Sequence, residues 1–217
     1  MASWNDDTAQ YRETILKPET KRIIARAPFV KSLNTHLSYA FSMAPPIGFV
    51  AEFGVWHGQS IQLLANLAET VFGFDSFLGL PESWEDINRT NPGGYVKAGQ
   101  FNRDEIPPAA PENVQMIVGW FEDTLPAFAE EVGMPARFLH IDCDLYSSTM
   151  TVLTELAEHI VPGTVILFDE FWDYSAWRKH EWLAFMECAE RFGWTWTLTS
   201  WMDPGYQASV RIDSVRG

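Results

Sequence analysis

Residues 51–60 read AEFGVWHGQS and follow directly on the apolar residues GFV (48–50). A short apolar strand here gives way to a turn that holds two glycines, Gly54 and Gly58, and then to an amphipathic stretch. Glycines in such a turn let the backbone approach a nucleotide-type ligand closely. Asp75 ends the next apolar run, 21 positions after Gly54, where an acidic residue accepts hydrogen bonds from ribose hydroxyls. The stretch predicts a nucleotide-type ligand at the end of the first major strand.

Short runs rich in β-branched and aromatic residues alternate with amphipathic stretches along the chain, which is typical of βα units. We predict strands at residues 48–53, 71–74, 115–118, 137–141, 164–168, 195–199 and 208–212. Helices are predicted at residues 61–67, 124–132, 149–160 and 177–192. The link WMDPGY (201–206) is too short for a crossover helix, so the last two strands should pair antiparallel at one edge. The pattern indicates an α/β fold with a mostly parallel sheet.

Length and charge limit the class of protein. The chain has 217 residues and is 47% hydrophobic, which suits one α/β domain over residues 1–217. Its formal charge of -14 disfavours nucleic acid and anionic membranes as partners, because phosphate-binding surfaces need a basic field. The polar, acidic N-terminus and the lack of a long apolar run predict a soluble, cytoplasmic protein. We interpret Cys143 and Cys188 as ordinary thiols, with one disulfide pair as the minor alternative.

Two segments outside the βα pattern are candidates for shaping a substrate site. Residues 1–45 are predicted to be a helical cap or oligomerisation segment, because Phe29, Leu33, Leu37 and Phe41 recur at a four-residue step, with an irregularity at Pro28. The alternatives for this segment are a flap, a contact in a homo-oligomer and an ordinary packing helix. Residues 83–113 form a long segment rich in Gly, Pro and Asn, which predicts a substrate loop.

The charge beside the glycine turn predicts which ligand binds there. A dinucleotide site would carry G-x-G-x-x-G, with the pyrophosphate at the helix N-terminus. Here the turn is GVWHG (54–58), and Glu52 stands just before it. Its carboxylate would repel a pyrophosphate and attract a ligand with sulfonium and ammonium charges. S-adenosylmethionine is the ligand that fits.

Four carboxylates follow the fourth and fifth of these strands: Asp142, Asp144, Asp169 and Glu170. The carboxyl ends of neighbouring parallel strands meet at one edge of the sheet, so these groups would repel one another unless a cation lies between them. Oxygen ligands without a cysteine or histidine set favour Mg²⁺ or Ca²⁺. The alternative is an acidic cluster satisfied by amides and water, in which Asp144 caps the helix that begins near Ser148.

Five stretches together carry a resemblance to a known family: AEFGVWHGQS, VFGFDSFLGLPESW, GWFEDTLP, IDCDLYSST and VILFDEF. In their order and spacing, from about Phe49 to about Phe192, they resemble the class I S-adenosylmethionine-dependent methyltransferases, specifically the macrocin-type (TylF-like) sugar O-methyltransferases. The resemblance implies a doubly wound, seven-stranded, mostly parallel sheet with the cofactor at the carboxyl ends of the strands. It also implies Mg²⁺-assisted methyl transfer to the hydroxyl of a small molecule, commonly a natural-product sugar or a similar scaffold.

The resemblance assigns roles to individual residues. It implies that the methionine part of the cofactor is surrounded by Glu52, Gly54, Gly58 and Ser60. It implies that the ribose is held by Asp75 and Ser76, and that the adenine pocket is lined by Gly119 and Trp120. It implies a metal site made of Asp142, Asp169 and Glu170, in which this chain has DE where relatives often carry DD. Asp142 is also a candidate catalytic residue, and His180 is a candidate base. Of the other histidines considered, His57 would shape the cofactor turn, and His140 would either support a metal ligand or belong to the core.

Other functions remain open from the sequence. A nicotinamide-dependent oxidoreductase would share the sheet, the glycine turn and Asp75, but it would leave the carboxylate cluster unexplained. A non-catalytic binding module would show no stabilisation by S-adenosylmethionine or Mg²⁺. A related enzyme that methylates a catechol or phenol would share nearly every feature.

Overall fold

The computed structural model describes residues 27–85, 95–172, 174, 176–202 and 206–216. The strands are β1 (Phe29–Val30), β2 (Phe49–Phe53), β3 (Val71–Asp75), β4 (Trp84–Glu85), β5 (Tyr95–Val96), β6 (Val114–Val118), β7 (Ala136–Ile141), β8 (Val165–Phe168), β9 (Thr195–Met202) and β10 (Ala208–Ser214). The α-helices are α1 (Leu33–Ser42), α2 (Gln59–Ala65), α3 (Phe121–Glu131), α4 (Tyr146–Glu155) and α5 (Glu181–Phe192), and a 3-10 turn covers Trp177–Lys179. Each predicted strand and helix therefore has a counterpart, with its ends shifted by a few residues.

The main sheet confirms the predicted fold class and adds one strand to it. Its order is β1-β9-β10-β8-β7-β2-β3-β6. The strands pair in parallel except β10, which is antiparallel to both β9 and β8. The predicted antiparallel hairpin is therefore present, and the eighth strand, β1, lies outside it at the edge. The order reverses between β2 and β7, which is the position where α/β sheets bind ligands.

The N-terminal segment differs from the single helix predicted around Pro28. Phe29 and Val30 pair with Trp201 and Met202 as an edge strand, and α1 begins only after Ser32, whose side chain accepts a hydrogen bond from the Thr35 backbone. A proline disfavours the helical region for the residue before it, and a capping serine fixes where a helix begins. Residues 1–26 of the predicted cap segment lie outside the described residues.

Helices cover both faces of the main sheet. Helices α1 and α2 pack on one face through Leu37, Phe41, Ile61 and Leu64, and α3, α4 and α5 pack on the other. All five residues of β2 are buried, as expected for a parallel strand covered on both sides. Because side chains alternate along a strand, Val50 and Glu52 face α1 and α2, whereas Ala51 and Phe53 face the opposite layer.

The predicted substrate loop is folded wherever it is described. Strands β4 and β5 form a small antiparallel hairpin, and residues 86–94 between them lie outside the described residues. Backbone hydrogen bonds join Leu80 to Gln100 and Arg103 to Phe77, at 2.9 and 2.8 Å. The second half of the loop therefore packs against the segment that follows β3. Among the described helices, none combines the length and hydropathy needed to span a membrane.

Candidate functional site

A cavity of about 780 Å³ lies where β2, β3, β6, β7 and β8 end. Backbone hydrogen bonds of 2.9 Å from Gly54 to Phe74, from Asp142 to Phe53 and from Asp169 to Ile141 extend the sheet just beyond these strand ends. Most of the residues predicted from the sequence line the cavity: Gly54, Ser60, Asp75, Ser76, Gly119, Trp120, Asp142, Asp169 and Glu170. The structure therefore brings six of the eight predicted cofactor residues and the three predicted metal ligands to one cavity.

Three predicted residues do not line this cavity: Glu52, Gly58 and His180. Gly58 precedes α2 and is covered by Pro108. His180 precedes α5 and is buried against the rings of Trp84 and Tyr174, with ring centroids 6.3 and 6.5 Å away. The structure therefore does not bring His180 to the cavity where the sequence interpretation needs a base.

Glu52, which the resemblance places around the methionine part of the donor, does not line the cavity. Glu52 is fully buried, and its two carboxylate oxygens are bonded to the Ser60 hydroxyl at 3.0 Å and to His140 Nδ1 at 2.9 Å. Burial raises the pKa of Glu52, although hydrogen bonding to His140 opposes the shift. The reason is strand register: Glu52 and His140 are paired on β2 and β7 and face the same helices. Ser60, which does line the cavity, lies between Glu52 and any bound ligand.

Asp75 holds the glycine turn in place. One carboxylate oxygen accepts hydrogen bonds from the backbone of Val55 and Trp56 at 2.8 and 2.9 Å, and the other accepts one from Phe77 at 2.7 Å. A carboxylate offers about four acceptor positions, so one remains for a ligand hydroxyl. Asp75 also lines the cavity, which keeps its predicted ribose contact open as a proposal.

The carboxylates at the ends of β7 and β8 form two adjoining groups that share Asp142. In each group the possible ligand atoms lie within 4.8 Å of one another: His140, Asp142 and Asp169 in the first, and Asp142, Asp144 and Glu170 in the second. The predicted trio of Asp142, Asp169 and Glu170 is thus divided between them. Asp144 does not cap α4, since that helix has no side-chain cap and begins after Leu145; it lines the cavity instead.

The protonation of this cluster is set by burial and by mutual repulsion. Burial, followed by the charge of Asp169, raises the pKa of Asp142 and of Glu170 well above the ordinary values, and the same two causes raise the pKa of Asp144 to about 7. Asp169 shifts the other way: burial alone would raise its pKa, but the nearby His140 ring and the hydrogen bond from Gln207 lower it. Glu170 Oε2 is buried and has no hydrogen-bond partner among the described residues. A hard cation would supply the missing partner and relieve the repulsion.

His140 connects the glycine turn to the carboxylate cluster. Its Nδ1 contacts Glu52, and its Nε2 lies 3.9 Å from Asp169 Oδ1. Burial alone would lower the pKa of His140, but the carboxylates of Asp169 and Glu52 raise it well above the ordinary value. The His140 ring is buried between two carboxylates, hydrogen-bonded to Glu52 through Nδ1 and facing Asp169 through Nε2.

Sequence reasoning missed two further contacts of the cluster. The Glu181 carboxylate, at the start of α5, accepts a hydrogen bond from the Glu170 backbone at 3.1 Å. The Gln207 amide donates to Asp169 Oδ1, and its oxygen lies 3.0 Å from Nδ1 of the buried His36. The signal that could have revealed Gln207 is the antiparallel pairing of β10 with β8. Ala208 pairs with Phe168, so the neighbouring residues Gln207 and Asp169 also lie side by side.

His36 should make the stability of the protein fall in acid. Burial lowers the pKa of His36 from 6.5 to about 4, with Asp169 and His140 as the ionisable groups that act on it. Between these values the unfolded chain binds a proton that the folded chain does not, so the contribution of His36 to the free energy of unfolding falls as the pH falls from 6.5 towards 4. From pH 7 to pH 5 this contribution falls by about 2 kcal/mol, while Asp144, whose pKa is raised to about 7, acts in the opposite direction. Urea unfolding at both pH values, compared between the parent and a variant without the ring, measures the His36 part.

The variant His36→Gln, which has no ring to protonate, isolates this contribution. It is expected to be less stable than the parent at pH 7, because the ring contacts are lost, yet to lose less stability between pH 7 and pH 5. An identical loss in the two proteins would show that His36 is not the group responsible.

Comparisons with known proteins agree with this arrangement. A family model described as "Methyltransferase domain" matches residues 51–171. A demethyldecarbamoylnovobiocin O-methyltransferase from Streptomyces niveus is 29% identical in an alignment 141 residues long, and the match covers 57% of this chain and 53% of the relative. An 8-demethyl-8-(2,3-dimethoxy-alpha-L-rhamnosyl)-tetracenomycin-C 4'-O-methyltransferase from Streptomyces olivaceus is 28% identical over 148 residues, with the same shares. The chain spans about half the length of the curated relatives it matches.

A solved structure extends the similarity to nearly the whole chain. The crystal structure of a calicheamicin methyltransferase superposes with a TM-score of 0.62 and 18% identity. The superposition covers 97% of this chain and 86% of the calicheamicin methyltransferase chain. At this identity the likeness concerns the fold alone. The shared fold includes the strands that position the cavity.

Proposed function

The chain belongs to the methyltransferase domain family, and from that membership we propose that it transfers a methyl group from S-adenosylmethionine to a hydroxyl of a small molecule, with Mg²⁺ at the carboxylate cluster. The observation that carries the proposal is the single cavity lined both by the glycine turn with Asp75 and Trp120 and by Asp142, Asp169 and Glu170. A methyl donor and a cation-bound acceptor would meet in that space. The oxidoreductase alternative is disfavoured by the family, and it gives the carboxylates no role.

The charge of the cavity suits a cationic donor and a divalent cation. The described lining contains neither lysine nor arginine. It contains seven carboxylates: Asp75, Glu82, Glu122, Asp142, Asp144, Asp169 and Glu170. S-adenosylmethionine carries a sulfonium that makes its methyl group ready for transfer. Ser60, Asp75 and Trp120 are proposed to hold the methionine part, the ribose and the adenine, and Gly54 leaves room for the donor to approach the backbone. Ser76 and Gly119 complete this cofactor site, and Glu52 acts through Ser60.

The carboxylates at the ends of β7 and β8 are proposed to act on the methyl acceptor. Asp142, Asp169 and Glu170 would hold the cation, which supplies Lewis-acid polarisation of the acceptor hydroxyl when bound; Ca²⁺ is a possible substitute for Mg²⁺. We assign proton acceptance to Asp144 rather than to His180, because Asp144 lines the cavity and belongs to a carboxylate group with Asp142 and Glu170. Glu181 orients the backbone at Glu170.

The acceptor is proposed to be a natural-product sugar hydroxyl or a similar cyclic scaffold. Apolar and aromatic side chains supply the rest of the cavity wall, among them Leu33, Leu80, Trp84 and Phe101. Such a wall suits the faces of a ring, and the carboxylates suit its hydroxyl groups. The two relatives are named for O-methylation of a novobiocin precursor and of a rhamnosyl-bearing tetracenomycin, which supports the same class.

Ligand binding tests this function without knowledge of the acceptor. At 100 times its Kd, S-adenosylhomocysteine should stabilise the protein by about 2.7 kcal/mol, which corresponds to a rise in Tm of about 5–10 °C for a chain of this size. Mg²⁺ should raise the Tm further. Differential scanning fluorimetry and calorimetric titration measure both effects, with NAD as the control ligand.

The outcomes separate the alternatives. Stabilisation by NAD instead of S-adenosylhomocysteine would favour an oxidoreductase, and stabilisation by neither would favour a non-catalytic module. Transfer of a labelled methyl group to hydroxyl-bearing glycosides, compared with catechols and with EDTA as the metal-free control, then tests the acceptor class.

A further inference from the structure

A buried chain of hydrogen bonds joins Asp169 to parts of the protein outside the matched domain segment. Gln207, directly before β10, is 2% exposed, and its amide nitrogen donates to Asp169 Oδ1. The Gln207 oxygen lies 3.0 Å from His36 Nδ1, and Nε2 of the same ring lies 2.9 Å from the Ser200 hydroxyl. The carboxylate is therefore linked to both α1 and the β9–β10 hairpin.

The chemistry of the groups fixes the direction of each bond. Because an ionised carboxylate only accepts, the NH₂ group of Gln207 must face Asp169, and its oxygen must face His36. His36 Nδ1 therefore carries a proton and donates to that oxygen. Burial lowers the pKa of His36 to about 4, so the ring is neutral at pH 7 and Nε2 accepts from the Ser200 hydroxyl. Gln207 cannot rotate its amide by half a turn without losing both contacts.

Asp169 Oδ1 is approached from two sides. Gln207 donates to it from the hairpin, and His140 Nε2 lies 3.9 Å from the same oxygen on the β7 side. The pairing of Ala208 with Phe168 places Gln207 beside Asp169 just beyond the strand ends. Two neighbours at one oxygen limit the rotation of the carboxylate, which would otherwise be free to turn away from Asp142 and Glu170.

We propose that Gln207 is a positioning residue for the cation site: it holds the Asp169 carboxylate in its ligating orientation, and His36 fixes the orientation of the Gln207 amide. The inference rests on the proposed function in one respect, the binding of a divalent cation at the carboxylate cluster. Hydrogen-bond partners of metal ligands typically change metal affinity by about 10–100-fold when they are replaced. Gln207 is expected to act on the cation and not on the methyl donor, because it touches Asp169 and does not line the cavity.

The variant Gln207→Leu tests the inference in the full chain. Leucine fills a similar volume but cannot donate to Asp169. Mn²⁺ serves as the probe, since the resonance of free Mn²⁺ in electron paramagnetic resonance reports the unbound fraction, and calorimetry measures S-adenosylhomocysteine. The Kd for Mn²⁺ should rise about 10-fold or more, while the Kd for S-adenosylhomocysteine without metal stays within about twofold of the parent.

Thr164→Val is the matched control. It removes the contacts of a buried hydroxyl with the Ala136 carbonyl and the Val161 backbone, at 2.7 and 3.0 Å, before the start of β8 and at the other end of that strand from Asp169. It should lower the Tm and leave the Kd for Mn²⁺ unchanged. If Gln207→Leu does not fold, as judged by circular dichroism, Gln207→Asn replaces it, because its shorter arm withdraws the amide from Asp169 and predicts the same loss.

Each outcome either supports the inference or overturns it. Unchanged Mn²⁺ affinity in the folded Gln207 variant overturns it, and so does an equal loss of Mn²⁺ and S-adenosylhomocysteine binding or an equal loss of Mn²⁺ binding in Thr164→Val. A parent protein that binds S-adenosylhomocysteine but no Mn²⁺ would refute the metal part of the proposed function together with the inference. Parent binding with an unaffected variant refutes the inference alone.

Discussion

Asp169→Asn is expected to reduce cation-dependent methyl transfer by at least about 100-fold, because Lewis-acid polarisation of the acceptor contributes several kcal/mol. Asparagine keeps the shape of the side chain and an oxygen for the Gln207 amide, but it removes the charge that a cation needs. The affinity for S-adenosylhomocysteine should stay nearly constant, since among the described residues the Asp169 side chain bonds Gln207 and approaches His140, and it forms no hydrogen bond or ion pair with the glycine turn or Asp75. Labelled-methyl transfer and calorimetry on the same preparation measure the two effects.

Asp213→Asn provides the matched control for this prediction. Asp213 is a carboxylate on β10 that does not line the cavity and that pairs with Arg211 at 3.1 Å. Surface ion pairs contribute little to stability, so activity and ligand binding should both remain. If Asp169→Asn weakened donor binding as strongly as activity, the separation between a donor side and a cation side of the cavity would be wrong.

The parts of the site that the sequence predicted well depend on local chemistry. A glycine turn after an apolar run, an acid at the end of the next strand and paired acids after two later strands each follow from neighbouring residues and from one rule, that carboxyl ends of parallel strands meet. Gly54, Asp75, Asp142 and Asp169 therefore reached the cavity as predicted. The same rule placed β7 and β8 side by side without knowledge of the complete strand order.

The sequence did not reveal the surroundings of residues whose partners are distant in the chain. Whether Glu52 faces a ligand or a buried histidine depends on its register with His140, 88 positions away, and on Ser60 from α2. Gln207 required the knowledge that β10 inserts between β8 and β9. His180 was placed by an amphipathic pattern, but helix α5 begins only after it, so its ring packs under Trp84. Periodicity gives the face of a helix or strand, and it does not identify what covers that face.

Gly54→Ala is expected to cost at least about 4 kcal/mol of folding free energy or to prevent folding, because it affects the contact on which both halves of the site depend. A Cβ at Gly54 would lie 1.8 Å from the carbonyl oxygen of Asp142. That oxygen belongs to the backbone, so no change of rotamer relieves the overlap, and β2 and β7 would have to separate. Urea unfolding measures the loss, and calorimetry with S-adenosylhomocysteine measures its effect on the donor site.

Gly99→Ala separates this steric effect from backbone strain. Both glycines have positive φ, +90° at Gly54 and +77° at Gly99, but a Cβ at Gly99 would meet no atom within 4 Å. The control should therefore lose only the left-handed penalty of about 1–2 kcal/mol. Equal losses in the two variants would mean that strain explains the whole effect. A stable Gly54→Ala protein that fails only to bind the donor would mean that the glycine is needed for the ligand. A larger loss of stability than in Gly99→Ala means that the glycine is needed for the close packing of β2 against β7, which brings the turn and the carboxylates together.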